Sequence, residues 1–178
     1  MARRKIGGWL ASLAGIVCVL ALSGCGPQHD GLTGISVDGR GNWVVVLAWS
    51  SHRPDIVLIE HDLENQSVKD AELDAPATNA TSRAAGAAKT MTVDVAHPSA
   101  GWTVRQAMQP LDPSLTYTAV STTRDHWWVT GRVKFRLDDI NRLAQGEVLY
   151  CGGQEMQYRT VVASLEEFRK AAHSDPCF

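Results

Sequence analysis

The run Trp43-Val44-Val45-Val46-Leu47-Ala48-Trp49 is apolar at every position and rich in β-branched and aromatic residues. A half-wet strand would alternate apolar with polar, and an amphipathic helix would do so at a period of 3.6. This run does neither, so it reads as a central strand covered on both faces. Trp43 and Trp49 are an even number of residues apart and project to one side. Upstream, Ile35 and Val37 share one face of a loosely alternating segment, Gly31 to Asp38. Gly39-Arg40-Gly41-Asn42 between the two is a turn signal, and the pair reads as a hairpin.

Further short strands follow at intervals. Asp55 to Glu60 is one, with Glu60-His61-Asp62 as its polar exit. Residues Ala75 to Thr90 are dominated by Ala, Thr, Ser and Gly without an apolar period, which predicts a long exposed loop. Met91, Val93 and Val95 alternate with Thr92 and Asp94, a half-buried strand, and Trp102 and Val104 begin another. Trp127-Trp128-Val129 to Phe135 reads as a further strand, in which Val133, Phe135 and Leu137 alternate with Arg132, Lys134 and Arg136 to leave one wet basic face. Short strands separated by turn signals predict a mainly β, antiparallel sandwich.

Leu111-Asp112-Pro113-Ser114-Leu115-Thr116-Tyr117-Thr118-Ala119-Val120 resembles the corner and following strand of a fibronectin type III or immunoglobulin-like β-sandwich. In those folds a tyrosine hydroxyl bonds back to the backbone near the turn, the tyrosine corner. The resemblance gives Tyr117 that structural role. The family's frequent Thr two residues before the Tyr is Leu115 here.

The C-terminal part changes character. Asp138 is placed to cap a short helix containing Ile140, Leu143 and Ala144, stopped by Gly146. Val148-Leu149-Tyr150 is a brief strand. Ser164-Leu165-Glu166-Glu167 fits a capping box, and Leu165, Phe168 and Ala172 form the apolar stripe of a final helix. The expectation is a sandwich with a small C-terminal helical appendage.

The N-terminus has the layout of a secretory signal peptide: Arg3-Arg4-Lys5, then an uncharged apolar or small-residue run from Ile6 to Leu22. Leu22-Ser23-Gly24-Cys25 resembles the lipobox of bacterial lipoproteins. That resemblance implies removal of residues 1–24 and a lipid on Cys25. The chain also resembles small lipoproteins of high-GC Gram-positive bacteria, through the lipobox, Gly31 to Asp38, the Leu111 to Tyr117 segment and Leu165-Glu166-Glu167-Phe168-Arg169. This implies a location and a fold. The partner it implies is the lipid bilayer, reached through a diacylglyceryl anchor on the outer face of the cell membrane. Residues 25–33 read as a short linker and 34–178 as one domain, long enough to bury a real core.

Of 17 basic and 19 acidic residues, only Arg3, Arg4 and Lys5 lie in the leader, so the remainder has 14 basic and 19 acidic residues and a formal charge of −5. A mixed, mildly acidic surface has no electrostatic footprint for nucleic acid. Cys18 lies in the leader and Cys25 is the lipid site. Cys151 and Cys177 remain, an even pair in a chain bound for an oxidising compartment, and are expected to bond to each other.

Catalytic patterns are missing. There is no Gly-x-Ser-x-Gly, Ser-x-x-Lys or His-Glu-x-x-His, and no phosphate-cradling glycine loop before a helix. No catalytic residue, metal ligand set or cofactor is assigned. His61 between Glu60 and Asp62 is the best cluster for a general base, and Asp138-Asp139 could pair as carboxylates, although a helix start favours acids for dipole reasons alone. Trp102, Trp127 and Trp128, with Arg124, lie near loops or strand starts and are the candidate ligand contacts; an exposed Trp stacks on a sugar ring or a protein partner, whereas core Trp simply fills the sandwich. The expected activity is binding or interaction with an envelope protein or glycan. A small hydrolase acting on glycan or peptidoglycan, or a structural envelope protein, are the alternatives.

Overall fold

A computed structural model describes residues 26–63, 66–75, 89–152 and 159–174. The strands are β1 (Gln28–Val37), β2 (Trp43–Trp49), β3 (Ile56–Leu63), β4 (Gln66–Asp74), β5 (Lys89–Val93), β6 (Thr103–Gln106), β7 (Tyr117–Thr122), β8 (Trp128–Gly131), β9 (Val133–Phe135), β10 (Glu147–Gly152) and β11 (Arg159–Ser164). Two helices, α1 (Leu137–Asn141) and α2 (Leu165–Ser174), complete the described part. The fold is mainly β, sandwich-like, with a small helix at its C-terminal end, as the strand pattern predicts.

All eleven strands join one hydrogen-bonded sheet that curls over into two layers. The first runs β5-β2-β1-β10-β11. The second sets β8 and β9 along one edge of β7, followed by β3, β4 and β6. β1 joins the layers because two strands share one of its edges. Its first residues pair parallel with β8, and Gly34 to Ser36 pair antiparallel with β10. The register shifts between His29 and Leu32, at Gly31, which sits at φ 94°. A Cβ there would lie 1.9 Å from the Ala48 carbonyl oxygen, so only glycine allows the switch.

The sandwich core lies between the layers. Ile35, Val45, Leu47, Trp49 and Leu149 of the first layer meet Val57, Ile59, Leu73, Tyr117, Val133 and Phe135 of the second. The other face of β2, Val44, Val46 and Ala48, packs with Leu32, Val148, Tyr150 and Phe168 of α2. This explains the uniformly apolar β2: the sandwich covers one face and the helix covers the other. Trp43 and Trp49 both belong to the sandwich side. Asp38 closes the β1–β2 turn by accepting the Arg40 and Asn42 N–H groups at 2.8 Å each. Those bonds, the Asn42 one foremost, hold its carboxyl below the usual range.

Tyr117 opens β7, and its hydroxyl accepts the Asp112 N–H at 2.7 Å, the bond of a tyrosine corner. Asp112 caps the same corner through the Ser114 hydroxyl and N–H, and both bonds depress its own pKa. At α2 the Ser164 hydroxyl and N–H donate to Glu167 at 2.7 and 2.9 Å, and the Glu167 N–H returns to Ser164 Oγ at 3.3 Å.

Several boundaries differ from expectation. β1 starts at Gln28, so most of the span 25–33 read as linker is strand. Parallel pairing with β8, Gln28 with Trp128 and His29 with Val129, extends it backwards past Gly31. Ala75 is buried and Lys89 and Thr90 belong to β5; 76–88, the rest of the predicted loop, lies outside the described residues. α1 is capped at Arg136, not at Asp138, because Asp139 reaches back to accept the Arg136 N–H at 2.9 Å. β4 and β11 were not expected at all.

Candidate ligand cleft and aromatic tip

The outer face of the second layer carries Glu60 on β3, Thr118 on β7 and Lys134 on β9 as one cross-strand row. Asp62, Ser67 and Arg132 stand beside that row. Cys151, Arg159 and Thr160, from the end of the β10–β11 hairpin, complete the walls of a cleft of about 680 Å³. The Thr160 hydroxyl reaches the Lys134 carbonyl at 3.5 Å, which ties the hairpin to the second layer. Two carboxylates and three cations therefore share one concavity. Glu60 accepts the Ser67 hydroxyl at 2.9 Å. Arg132, Lys134 and Arg159 are exposed and make no ion pair among the described residues. Arg132 also acts on His29, whose pKa is lowered first by burial and then by that guanidinium.

The alternation of β3 separates the cluster Glu60-His61-Asp62. Glu60 and Asp62 face the cleft, whereas His61 turns to the other side. There its Nδ1 lies 2.7 Å from Asp70 Oδ2 on β4, and its ring meets the Tyr117 ring edge-on at 5.9 Å. Both side chains of the His61–Asp70 pair are mostly buried. Asp139 is engaged in capping α1, so Asp138-Asp139 is a helix start.

A second feature is the β7–β8 connection. The Thr123 N–H donates to the Trp128 carbonyl across it at 2.9 Å, and the Trp128 N–H donates to the Thr123 hydroxyl oxygen at 3.1 Å. Asp125 Oδ1 accepts the Thr123 hydroxyl at 2.6 Å and the Trp127 N–H at 3.1 Å. Those two bonds hold the Asp125 carboxyl below its ordinary range. His126 takes the left-handed conformation, φ 58°, to complete the turn. The tip points Trp127 outward with 54% of its surface exposed.

The four candidate contacts predicted from sequence have different surroundings. Trp102 is partly buried against the sandwich core. Trp128 stacks on the His52 ring, centroids 3.6 Å apart and nearly parallel. Asp30 fixes that histidine's loop by accepting the Ser50, Ser51 and His52 N–H groups. The Arg124 guanidinium donates to the Ala75 carbonyl at 2.9 Å. Of the four, Trp127 alone is an exposed large apolar side chain. Cys151 is buried at the end of β10, while Cys25 and Cys177 lie outside the described residues.

The charged cleft went unseen in the sequence because its residues come from β3, β4, β7, β9, β10 and β11. The one available signal was the basic face of Arg132 and Lys134. Among the described residues no group of three His, Cys, Asp or Glu could hold a metal ion, and no helix is long and apolar enough to cross a membrane. Comparison of the chain with protein-family models, curated proteins and solved structures gives no match.

Proposed function

We propose that the protein is a lipoprotein anchored through Cys25 to the outer face of the cell membrane, where it binds an envelope component in the cleft of the second layer. The observation that supports binding there is the set of three cations, Arg132, Lys134 and Arg159, that face an open volume of about 680 Å³ without ion-pair partners among the described residues. Opposite charges at Glu60 and Asp62 suit a ligand that carries an anionic and a cationic group together, as a peptide-bearing glycan does. The same reading pairs Cys151 with Cys177 in a disulfide.

Isothermal titration of residues 26–178 with soluble peptidoglycan fragments tests the cleft. Binding that weakens tenfold or more in the double variant R132E/K134E is the expected result, and unchanged binding would reject this site. Mass spectrometry of the membrane-fraction protein tests the anchor; a mature N-terminus other than lipidated Cys25 would reject it.

One observation favours a second reading, a small glycan hydrolase. Glu60 and Asp62 stand on the same face of one strand and open into the same cleft. Paired carboxylates across a glycosidic bond are the usual machinery of glycan hydrolysis. Turnover of peptidoglycan that disappears in both E60Q and D62N would establish it.

A further inference from the structure

The strand that leads out of the anchor runs directly past the exposed tip. The Gln28 N–H donates to the Trp127 carbonyl at 2.7 Å, and Gln28 pairs with Trp128 at the start of β8. Three residue steps separate Gln28 from Cys25, a reach of about 10 Å when fully extended. The polar layer on each side of a bilayer is roughly 5–8 Å thick. A domain tethered this closely cannot hold its first strand far from the membrane, and whatever lies beside Gln28 is brought to the headgroups.

What lies beside Gln28 is an indole on a rigid mount. The turn spends the Asp125 carboxylate, the Thr123 hydroxyl and a left-handed His126 on fixing its shape, and it leaves Trp127 more than half exposed. Its neighbour Trp128 is turned the other way, onto His52, so adjacent tryptophans have opposite fates. Arg124, with its guanidinium on the Ala75 carbonyl, braces the base of the tip against the end of β4. Tryptophan is the side chain that most favours the membrane–water interface, with an apolar ring for the acyl boundary and an N–H for the headgroups.

We infer that Trp127 inserts into the headgroup region of the bilayer that carries the Cys25 lipid, and so sets the orientation of the domain on the membrane. This rests on the lipoprotein reading above. In the second layer the cleft residues Glu60 and Thr118 pair four positions along β3 and β7 from Ile56 and Thr122, next to which the tip begins. An inserted tip would therefore hold that wall of the cleft away from the bilayer.

The test uses the lipidated mature protein, purified from membranes and reconstituted into phosphatidylcholine–phosphatidylglycerol vesicles. Part of the phosphatidylcholine is brominated high on its acyl chains. Tryptophan fluorescence quenched by the brominated lipid, with quenching lost in W127F, is the expected result. Equal quenching in wild type and W127F would overturn the inference. Backbone hydrogen exchange of residues 123–128, slowed on vesicles relative to detergent-free solution, is the parallel reading that needs no substitution; unchanged exchange would also count against it. Coupling Cys25 of residues 25–178 to a maleimide lipid repeats the experiment with a synthetic tether. A chain that proves to carry no native lipid then sinks the lipoprotein reading alone, and a Trp127 that stays unquenched on the synthetic tether sinks the insertion.

Discussion

Thr130 holds together the seam where the two layers meet. Its hydroxyl lies 2.5 Å from the Thr33 hydroxyl of β1, accepts the Ser121 N–H at 3.0 Å and donates to the Ser121 carbonyl at 3.1 Å. All three residues are buried. Replacing Thr130 by Val keeps the volume but strands a hydroxyl and an N–H in the interior, a loss of about 1–3 kcal/mol. Urea unfolding should show a lower midpoint for T130V at unchanged slope, and T130S should recover most of it. His29 makes a pH-dependent contribution. Burial, then Arg132, lowers its pKa from the ordinary 6.5, so the folded state binds fewer protons than the unfolded chain below that value. The contribution is complete above pH 6.5 and is lost as pH falls through the lowered folded pKa. Stability followed across that range should decline in wild type and decline less in H29Q. Individual residues were the least readable part of the sequence. His61 was set between two acids in the chain, but the pleat sent it to Asp70 and sent its neighbours to the cleft, because adjacent strand residues never share a face.

β2 and α2 explain each other. An apolar run with no wet face required cover on both sides, and the helix that supplies the second cover announced itself by a capping box and by Phe168. The contact depends on Gly34, which lets the helix sit close to the sheet. A Cβ at Gly34 would fall 2.4 Å from Val148 Cγ1 and 3.2 Å from Phe168 Cε2. G34A should therefore cost about 1–3 kcal/mol through overpacking, and hydrogen exchange should show α2 amides opening more readily than those of β7. F168A removes the fully buried ring itself and should cost about 3–5 kcal/mol. Equal protection of α2 in G34A and wild type would show that the helix does not depend on this close approach. The overlooked elements share a physical cause. β4 carries Glu, Lys, Asp and Gln on a half-wet surface, and its extra residue Asp70, opposite the Ile59–Glu60 step of β3, breaks the alternation that would have revealed it. β11 is an edge strand whose only inward side chains, Val161 and Ala163, reach α2 and not the sandwich core. A hydrophobic period is visible where a strand is covered, and these two are barely covered.

The whole molecule turns on where its ends go. β1 starts at Gln28 and crosses between layers at Gly31, so the N-terminal end of β1 is also the end where the layers are joined. α2 runs back to that same end, where His173 Nδ1 lies 2.9 Å from the Ser50 hydroxyl just past β2. β10 finishes there too, at Cys151 and Gly152, because it lies antiparallel to β1. Val148 and Tyr150 face α2, so alternation turns Cys151 to the other side, toward the cleft. A bond from Cys151 to Cys177 then requires the tail after Ser174 to pass around the end of the sheet, and three residue steps give it about 10 Å to do so. That route would close a loop of about 26 residues, worth roughly 3 kcal/mol on the chain-entropy account, and would fix one wall of the cleft to the C-terminal helix. C177S should melt lower than wild type in the absence of reductant, and wild type in dithiothreitol should fall to meet it. If C177S and wild type melt together without reductant, the staple is absent. If they differ but bind peptidoglycan fragments alike, the wall of the cleft at Cys151 stands without it, and the bond serves only to hold α2 over β2.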